Sequence, residues 1–394
     1  MKKKYRNFVA LIKLAQFMQK TKLLLFSVLL LVVGAAKADV ATTDKVVINV
    51  YDDQVLSPGG DVIYVSVGLE SATEVKYTAY QMSLELPDGL EVCVTDDGYE
   101  VYMYGNGGFY PRTGSDRTGW TYQHSLGANV VEGNVLNVAC YSSSNALFVK
   151  TSGDLFDFYV KASPYLKPGD VEIKVKNVTF VTPDETKHIA EDYVSTAVQA
   201  APTSTVTLKV SAVNKYGTCI LPFDYTLPAD GSLEAYGCSE YTDDALLLEE
   251  VTELVAYTPY ILYSETGFSA TLTGDVDASK YPAGGIAKSG YLMGALVQTE
   301  LTEASCYVMQ NQGSGPIFYQ VAPASPFLLS AGKCYVELPT GIKAKALRIG
   351  GATTSIEKST FNSQFSIFNL LGQRVDRMLP GKIYIVNGVK VIAK

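Results

Sequence analysis

The densest concentration of recognition chemistry lies between positions 99 and 122, where Tyr99, Tyr102, Tyr104, Phe109, Tyr110, Trp120 and Tyr122 surround the glycine-rich stretch Gly105-Asn106-Gly107-Gly108. A sugar presents flat C–H faces that stack on an aromatic ring, and neighbouring amides or guanidinium groups hydrogen-bond its hydroxyls. Period-two spacing puts Trp120 and Tyr122 on one face of a strand. Tyr110, Trp120, Tyr122, Arg117 and Gln123 are therefore the candidate ligand-binding residues, with Arg112 and Asp116 close by. Turned inward, the same face is simply a core, and the spacing fits both readings.

The residues needed for bond-breaking are scarcer. His124 and His188 are the two histidines, sixty-four positions apart, so a zinc pair one helical turn apart is excluded. No G-x-S-x-G elbow and no Gly-Lys-Ser/Thr phosphate loop occurs. Asp52-Asp53, Asp96-Asp97-Gly98 and Asp275-Val276-Asp277 lack the spacing that wraps a calcium ion and read as turns. Glycoside hydrolysis needs only two carboxylates about 5–9 Å apart, so it stands as a remote alternative. The expectation is a non-catalytic protein without cofactor or metal.

Charge and cysteines bound the setting. The 394 residues carry a formal charge of −8, but residues 1–38 hold eight basic side chains and no acidic one. Without them, 24 basic and 40 acidic residues give −16. That sign repels phosphate backbones and anionic membranes, so nucleic acid is excluded as a partner. Leu23 to Val33 is an apolar run of eleven residues between Lys20/Lys22 and Ala36-Lys37-Ala38. A basic flank, a short apolar stretch and a small-x-small ending form a secretory signal peptide, expected to be cut after Ala38. The run is too short to span a bilayer, so membrane contact is expected only through the signal before cleavage. Met18 offers an alternative start. The six cysteines form no C-x-x-C pair. Cys219 with Cys238, or Cys306 with Cys334, are conceivable bridges, but the apolar settings of Cys93 and Cys140 favour free thiols.

The elements that must position these residues read as strands. Asp61 to Val67 and Asp170 to Lys176 alternate apolar and polar side chains, the mark of half-buried antiparallel strands. Turn sequences such as Ser57-Pro58-Gly59-Gly60, Pro87-Asp88-Gly89 and Lys167-Pro168-Gly169-Asp170 divide the runs. Strands are expected near 46–50, 61–69, 77–86, 91–94, 99–104, 118–125, 134–141, 153–162, 170–181 and 189–198. Ala245 to Ala256 comes nearest to a helical pattern, and its Val-Thr content leaves it ambiguous. The fold class is all-β, with tandem antiparallel β-sandwiches, the first jelly-roll-like, a short C-terminal β segment and an N-terminal signal helix. The domains are a signal peptide at 1–38, a first sandwich at 40–198, a small uncharged linker at 199–204, a second sandwich at 205–345 and a terminal segment at 346–394.

Three resemblances extend this reading. The turn at Ser57 to Gly60, the run Tyr80-Gln81-Met82-Ser83-Leu84-Glu85-Leu86-Pro87-Asp88-Gly89-Leu90 and the stretch Val138 to Ser142 resemble cohesin-like and carbohydrate-binding-module-like sandwiches of secreted bacterial proteins. That likeness implies a partner that is either a polysaccharide or a docking protein domain. Leu221-Pro222-Phe223, Thr258 to Leu262 and Gly332 to Pro339 look like a β domain of Bacteroidota surface proteins. Phe365 to Val375 and Gly381 to Gly388 are similar to type IX secretion sorting domains, which implies contact with export machinery and an extracellular or outer-surface location. The leading expectation is glycan binding by the first sandwich. The alternative is a cohesin-like protein-interaction or structural module of the cell surface.

Overall fold

A computed structural model describes residues 37–50, 54–94, 124–131, 134–148, 151–311, 315–342 and 344–350, together with backbone strands at 367–369, 374–375, 383–386 and 389–392. The chain divides into two compact units, Met1–Gly351 and Ala352–Lys394. The expected signal helix lies outside the described residues.

Among the described residues the first sandwich comprises β1 (Val40–Ala41), β2 (Lys45–Val50), β3 (Ile63–Glu70), β4 (Ala79–Glu85), β5 (Leu90–Val92), β6 (Ser125–Val131), β7 (Val135–Tyr141), β8 (Gly153–Ala162), β9 (Gly169–Val181), β10 (Lys187–Ile189) and β11 (Tyr193–Ala200). One sheet runs β1-β10-β9-β4-β7-β6, with β11 also on β9, and the other runs β2-β3-β8-β5. Alternation dictates the packing. In β9, Val171, Ile173 and Val175 are buried while Glu172, Lys174 and Lys176 face water. Each such aliphatic side chain contributes about 1.5–3 kcal/mol by leaving water. Tyr77 stacks on Phe180 with centroids 4.8 Å apart, and Phe156 and Phe158 fill the centre.

Asp44 is a buried carboxylate that the core tolerates because donors surround it. It accepts from the Ala72 and Thr73 amides at 2.7 and 2.9 Å, from Thr73 Oγ1 at 2.8 Å and from the Tyr77 hydroxyl at 2.5 Å. Burial works to raise its pKa, but these hydrogen bonds outweigh burial and hold it below the usual carboxylate value.

Strand β6 was not foreshadowed by its residues. Gly127 and Asn129 are poor strand formers, and the segment is held by pairing along β7, from Ser125 opposite Tyr141 to Val131 opposite Val135. The expected strands at 99–104 and 118–125 fall outside the described residues, apart from His124 and Ser125.

The second region holds β12 (Thr203–Val210), β13 (Tyr216–Ile220), β14 (Tyr225–Thr226), β15 (Glu234–Tyr241), β16 (Ala245–Val251), β17 (Glu253–Leu254), β18 (Pro259–Tyr263), β19 (Phe268–Asp275), β20 (Ile286–Ser289), β21 (Leu292–Ala295), β22 (Thr299–Leu301), β23 (Cys306–Asn311), β24 (Pro316–Gln320), β25 (Phe327–Leu329), β26 (Lys333–Glu337) and β27 (Ala346–Ile349). Ten of these form one path, β13-β18-β15-β16-β27-β24-β23-β26-β21-β20. The path folds back on itself. Cys334 N donates to Thr218 Oγ1 at 3.0 Å and Ile220 N to Gly332 O at 3.4 Å, so β13 meets β26. The folded path encloses Leu248, Ile261, Tyr307, Phe318 and Val336. The ambiguous Ala245 to Ala256 is not helical: it holds strands β16 and β17 and then turns, with Leu246 and Leu248 buried while Glu249 and Glu250 lie in water.

The stretch expected as a linker is nearly all strand. Gln199 and Ala200 end β11, Thr203 and Ser204 begin β12, and only Ala201 and Pro202 lie between. Its backbone is tied to both sandwiches: Ala201 N donates to Leu56 O at 2.8 Å, Thr205 N to Pro58 O at 2.9 Å and Val276 N to Pro202 O at 2.7 Å. Small uncharged residues suit a tight crossing as well as a flexible one.

The crossing is reinforced by the turn after β8. Ser204 Oγ donates to Pro164 O at 2.6 Å, and the Tyr281 hydroxyl to Tyr165 O at 3.0 Å. The Tyr165 side chain packs into the second region's core. Two glycines permit the contact. A Cβ on Gly332 would lie 2.1 Å from the Tyr165 hydroxyl oxygen, and one on Gly59 would lie 1.9 Å from Thr205 O. Both glycines have positive φ, 79° and 73°.

The terminal unit contains β28 (Ile367–Asn369), β29 (Arg374–Val375), β30 (Ile383–Val386) and β31 (Val389–Ile392), in the order β29-β28-β30-β31. Val386 pairs with Val389, leaving Asn387-Gly388 as a two-residue connection, the dipeptide such turns favour.

Candidate functional site

Tyr110, Arg117, Trp120, Tyr122 and Gln123 all lie outside the described residues. The stretch that carries them joins β5, at one end of the four-stranded sheet, to β6, at one end of the opposing sheet. His124, at its end, is buried, stacks on Phe148 with centroids 4.4 Å apart and approaches Ala146 O with Nε2 at 3.0 Å. His188 sits in β10, edge-on to Tyr77. The two histidines serve different core contacts. Asp277, weighed as an oxygen ligand, caps a short turn by accepting from Ser279 N at 3.0 Å and Ser279 Oγ at 2.6 Å.

The six cysteines are free thiols, with Cys93 half-buried and the rest buried. Cys219 lies beside Cys334 rather than Cys238, since Cys334 Sγ donates to Cys219 O at 2.9 Å. Burial pushes the Cys219 thiol up to about 12 and Cys334 also well above its ordinary value. Among the described residues, no group of three or more His, Cys, Asp or Glu side chains is placed to hold a metal ion.

The structure brings together a different cluster, at one end of the folded path in the second region. Cross-strand register puts Tyr216 of β13 opposite Tyr263 of β18, and Tyr263 opposite Glu234 of β15. Two residues along, Tyr236 lies opposite Glu250 of β16. Period two keeps Glu234 and Tyr236 on one face. The Tyr216 and Tyr263 rings meet with centroids 4.8 Å apart at 51°. Tyr236 donates its hydroxyl to Glu234, Tyr263 donates to Glu265, and the Lys215 ammonium pairs with Glu265.

The electrostatics follow from this geometry. The hydrogen bond to Glu265, aided by burial, pushes the Tyr263 hydroxyl up to about 12. Burial and then the neighbouring Glu234 raise Tyr236, while burial followed by Glu234 and Glu265 raises Tyr216. The Lys215 hydrogen bond, with that of Tyr263, holds Glu265 below its ordinary value. At neutral pH the cluster is therefore three neutral, half-buried phenols among anionic carboxylates, a surface rich in acceptors and ring faces. Sequence reasoning centred on residues 99–122 missed it, although a signal was present. From Tyr216 to Ser279 the chain has twelve acidic residues and no lysine, arginine or histidine.

No protein-family model matches the chain. No curated protein matches it either. Solved structures similar to part of the chain include a type I cohesin–dockerin complex from Clostridium thermocellum, at 14% identity and TM-score 0.29, covering 43% of this chain and 100% of that one. Another is the cohesin module of a family 33 glycoside hydrolase from Clostridium perfringens, at 11% identity and TM-score 0.29, covering 41% and 98%. A third is a non-cellulosomal cohesin from the archaeon Archaeoglobus fulgidus, at 16% identity and TM-score 0.27, covering 40% and 91%. At these values the similarity carries no inference about partner or activity.

Proposed function

We propose that this chain is a secreted, surface-displayed, non-catalytic binding protein whose first sandwich captures a polysaccharide or other extracellular glycan, with the second region as its rigid support. What supports the reading is the aromatic concentration at 99–122 in the sequence, which in chain order falls between β5 and β6, end strands of their sheets among the described residues. Connections on a rigid scaffold are where binding residues concentrate. The leader ending at Ala38 supports export, and the terminal β unit, similar in sequence to type IX sorting domains, supports delivery to the outer surface.

The mature chain, residues 39–394, tests this against insoluble polysaccharides and a broad glycan array. Binding by the parent and its loss in Trp120→Ala is the expected result. Absence of glycan binding overturns it.

A second reading rests on β6, which among the described residues pairs with β7 alone and is the end strand of its sheet. An open edge accepts an extended segment of a protein partner. In that case Asn129→Pro would abolish partner binding in intact cells while Trp120→Ala would leave it unchanged.

A further inference from the structure

We infer that the face formed by Tyr216, Tyr263, Glu234, Tyr236 and Glu250 is an interaction surface for a lysine- or arginine-bearing segment of a protein partner. Three features of this face specify the occupant. The first is a cation already seated at its edge: beside the face, the Lys215 ammonium is held by Glu265, which also accepts from the Tyr263 hydroxyl. Lys215 stands in for the alkylammonium that a partner would bring. The second is residual charge. Lys215 answers Glu265, but among the described residues no lysine or arginine forms an ion pair with Glu234 or Glu250. The third is ring geometry. Tyr216, Tyr236 and Tyr263 are each partly exposed, and the tilted Tyr216–Tyr263 pair offers π faces beside the carboxylates. A guanidinium or ammonium over a phenol ring gains cation–π attraction as well as charge pairing.

The same features disfavour other ligands. A neutral sugar needs donors as well as acceptors, and the Tyr236 and Tyr263 hydroxyl protons are already committed to carboxylates. Phosphate backbones and anionic lipid surfaces are repelled by a stretch carrying twelve acidic residues and no basic one. A basic polypeptide gains both from the local rings and from the wider field, which raises its encounter rate. This inference is independent of whether the first sandwich binds glycan.

The test uses the mature chain and a fluorescein-labelled octapeptide alternating lysine and serine, followed by anisotropy at low salt. The Glu234→Gln/Glu250→Gln pair should weaken Kd about fivefold, and Tyr263→Ala about threefold, the scale of exposed ion pairs and cation–π contacts. The Glu300→Gln/Glu303→Gln pair removes the same charge elsewhere in the domain and should leave Kd within error of the parent. Circular dichroism of each variant should match the parent, since all the altered side chains except Glu234 and Tyr263 are exposed and those two are only partly covered. Equal weakening by both carboxylate pairs would reduce the effect to general charge attraction and overturn the site. So would failure of the peptide to bind, or its displacement by a neutral oligosaccharide such as laminaripentaose.

Discussion

Gly332→Ala and Tyr165→Ala should be strongly coupled, because the two residues meet where the sandwiches cross. An aromatic side chain buries roughly 150–250 Å², so at about 25 cal/mol per Å² removing the mostly covered Tyr165 ring forfeits about 3 kcal/mol. Gly332→Ala carries two penalties. A residue with a side chain at φ 79° costs about 1 kcal/mol. The added Cβ would also lie 2.1 Å from the Tyr165 hydroxyl oxygen, a contact relieved only by moving the ring, at about 2 kcal/mol. In the double variant that second penalty disappears, so the two losses should fall short of additivity by about 2 kcal/mol. Urea unfolding of the mature chain, followed by tyrosine fluorescence and circular dichroism, gives all four corners of the cycle. Tyr165→Ala alone should also lower the thermal midpoint by about 6–10 °C. It should expose the backbone on either side of Ala201-Pro202 to non-specific proteases. Additivity within about 0.5 kcal/mol would refute the packing argument. So would independent melting of the two sandwiches in the parent.

Three further outcomes follow from single contacts. Asp44→Ala should cost about 2 kcal/mol, because it leaves the buried Tyr77 hydroxyl without its carboxylate and releases the more exposed Ala72 and Thr73 amides. The folded pKa of Asp44 is depressed below an unfolded value of about 3.9, so its contribution is complete above that pH and fades as pH falls. Acid titration of stability should show a loss below about pH 4 in the parent that is smaller in Asp44→Ala, where only the other depressed carboxylates, such as Glu265, remain. A maleimide probe should label Cys93 first in the native protein, with the five buried thiols reacting only on unfolding, as peptide mapping by mass spectrometry would reveal. Gly59→Ala should destabilise by about 3 kcal/mol or more and Gly231→Ala by about 1 kcal/mol. Both have positive φ, but only Gly59 faces a backbone oxygen at 1.9 Å, and chemical denaturation of the two variants separates strain from collision.

Much of the architecture was legible because burial and alternation are the same fact seen at two levels. Val171, Ile173 and Val175 read as the inward face of a strand from their spacing alone, and they are buried in β9. Pairing that draws on distant partners left no such trace. Strand β6 exists through β7, and its own Gly127 and Asn129 argue against it. The crossing at Ala201-Pro202 looked like a linker because lack of charge says nothing about whether a neighbour such as Tyr165 is wedged alongside. The tyrosine–glutamate face was hidden for a related reason. Tyr216, Glu234, Glu250 and Tyr263 are scattered along forty-eight positions, and only the β13-β18-β15-β16 register gathers them. Tyr110, Arg117, Trp120, Tyr122 and Gln123 are neighbours in the sequence, and spacing alone does not set the direction a ring faces, which is a matter of tertiary packing.

The absence of basic side chains between Lys215 and Lys280 also bears on proteolysis. Trypsin-type proteases cut after lysine or arginine, so strands β13 to β19 present them with no scissile bond at all. Digestion should release this stretch as one 65-residue fragment, Tyr216 to Lys280, even after denaturation. Resistance of this stretch to trypsin-type cleavage thus comes from its composition and does not depend on remaining folded.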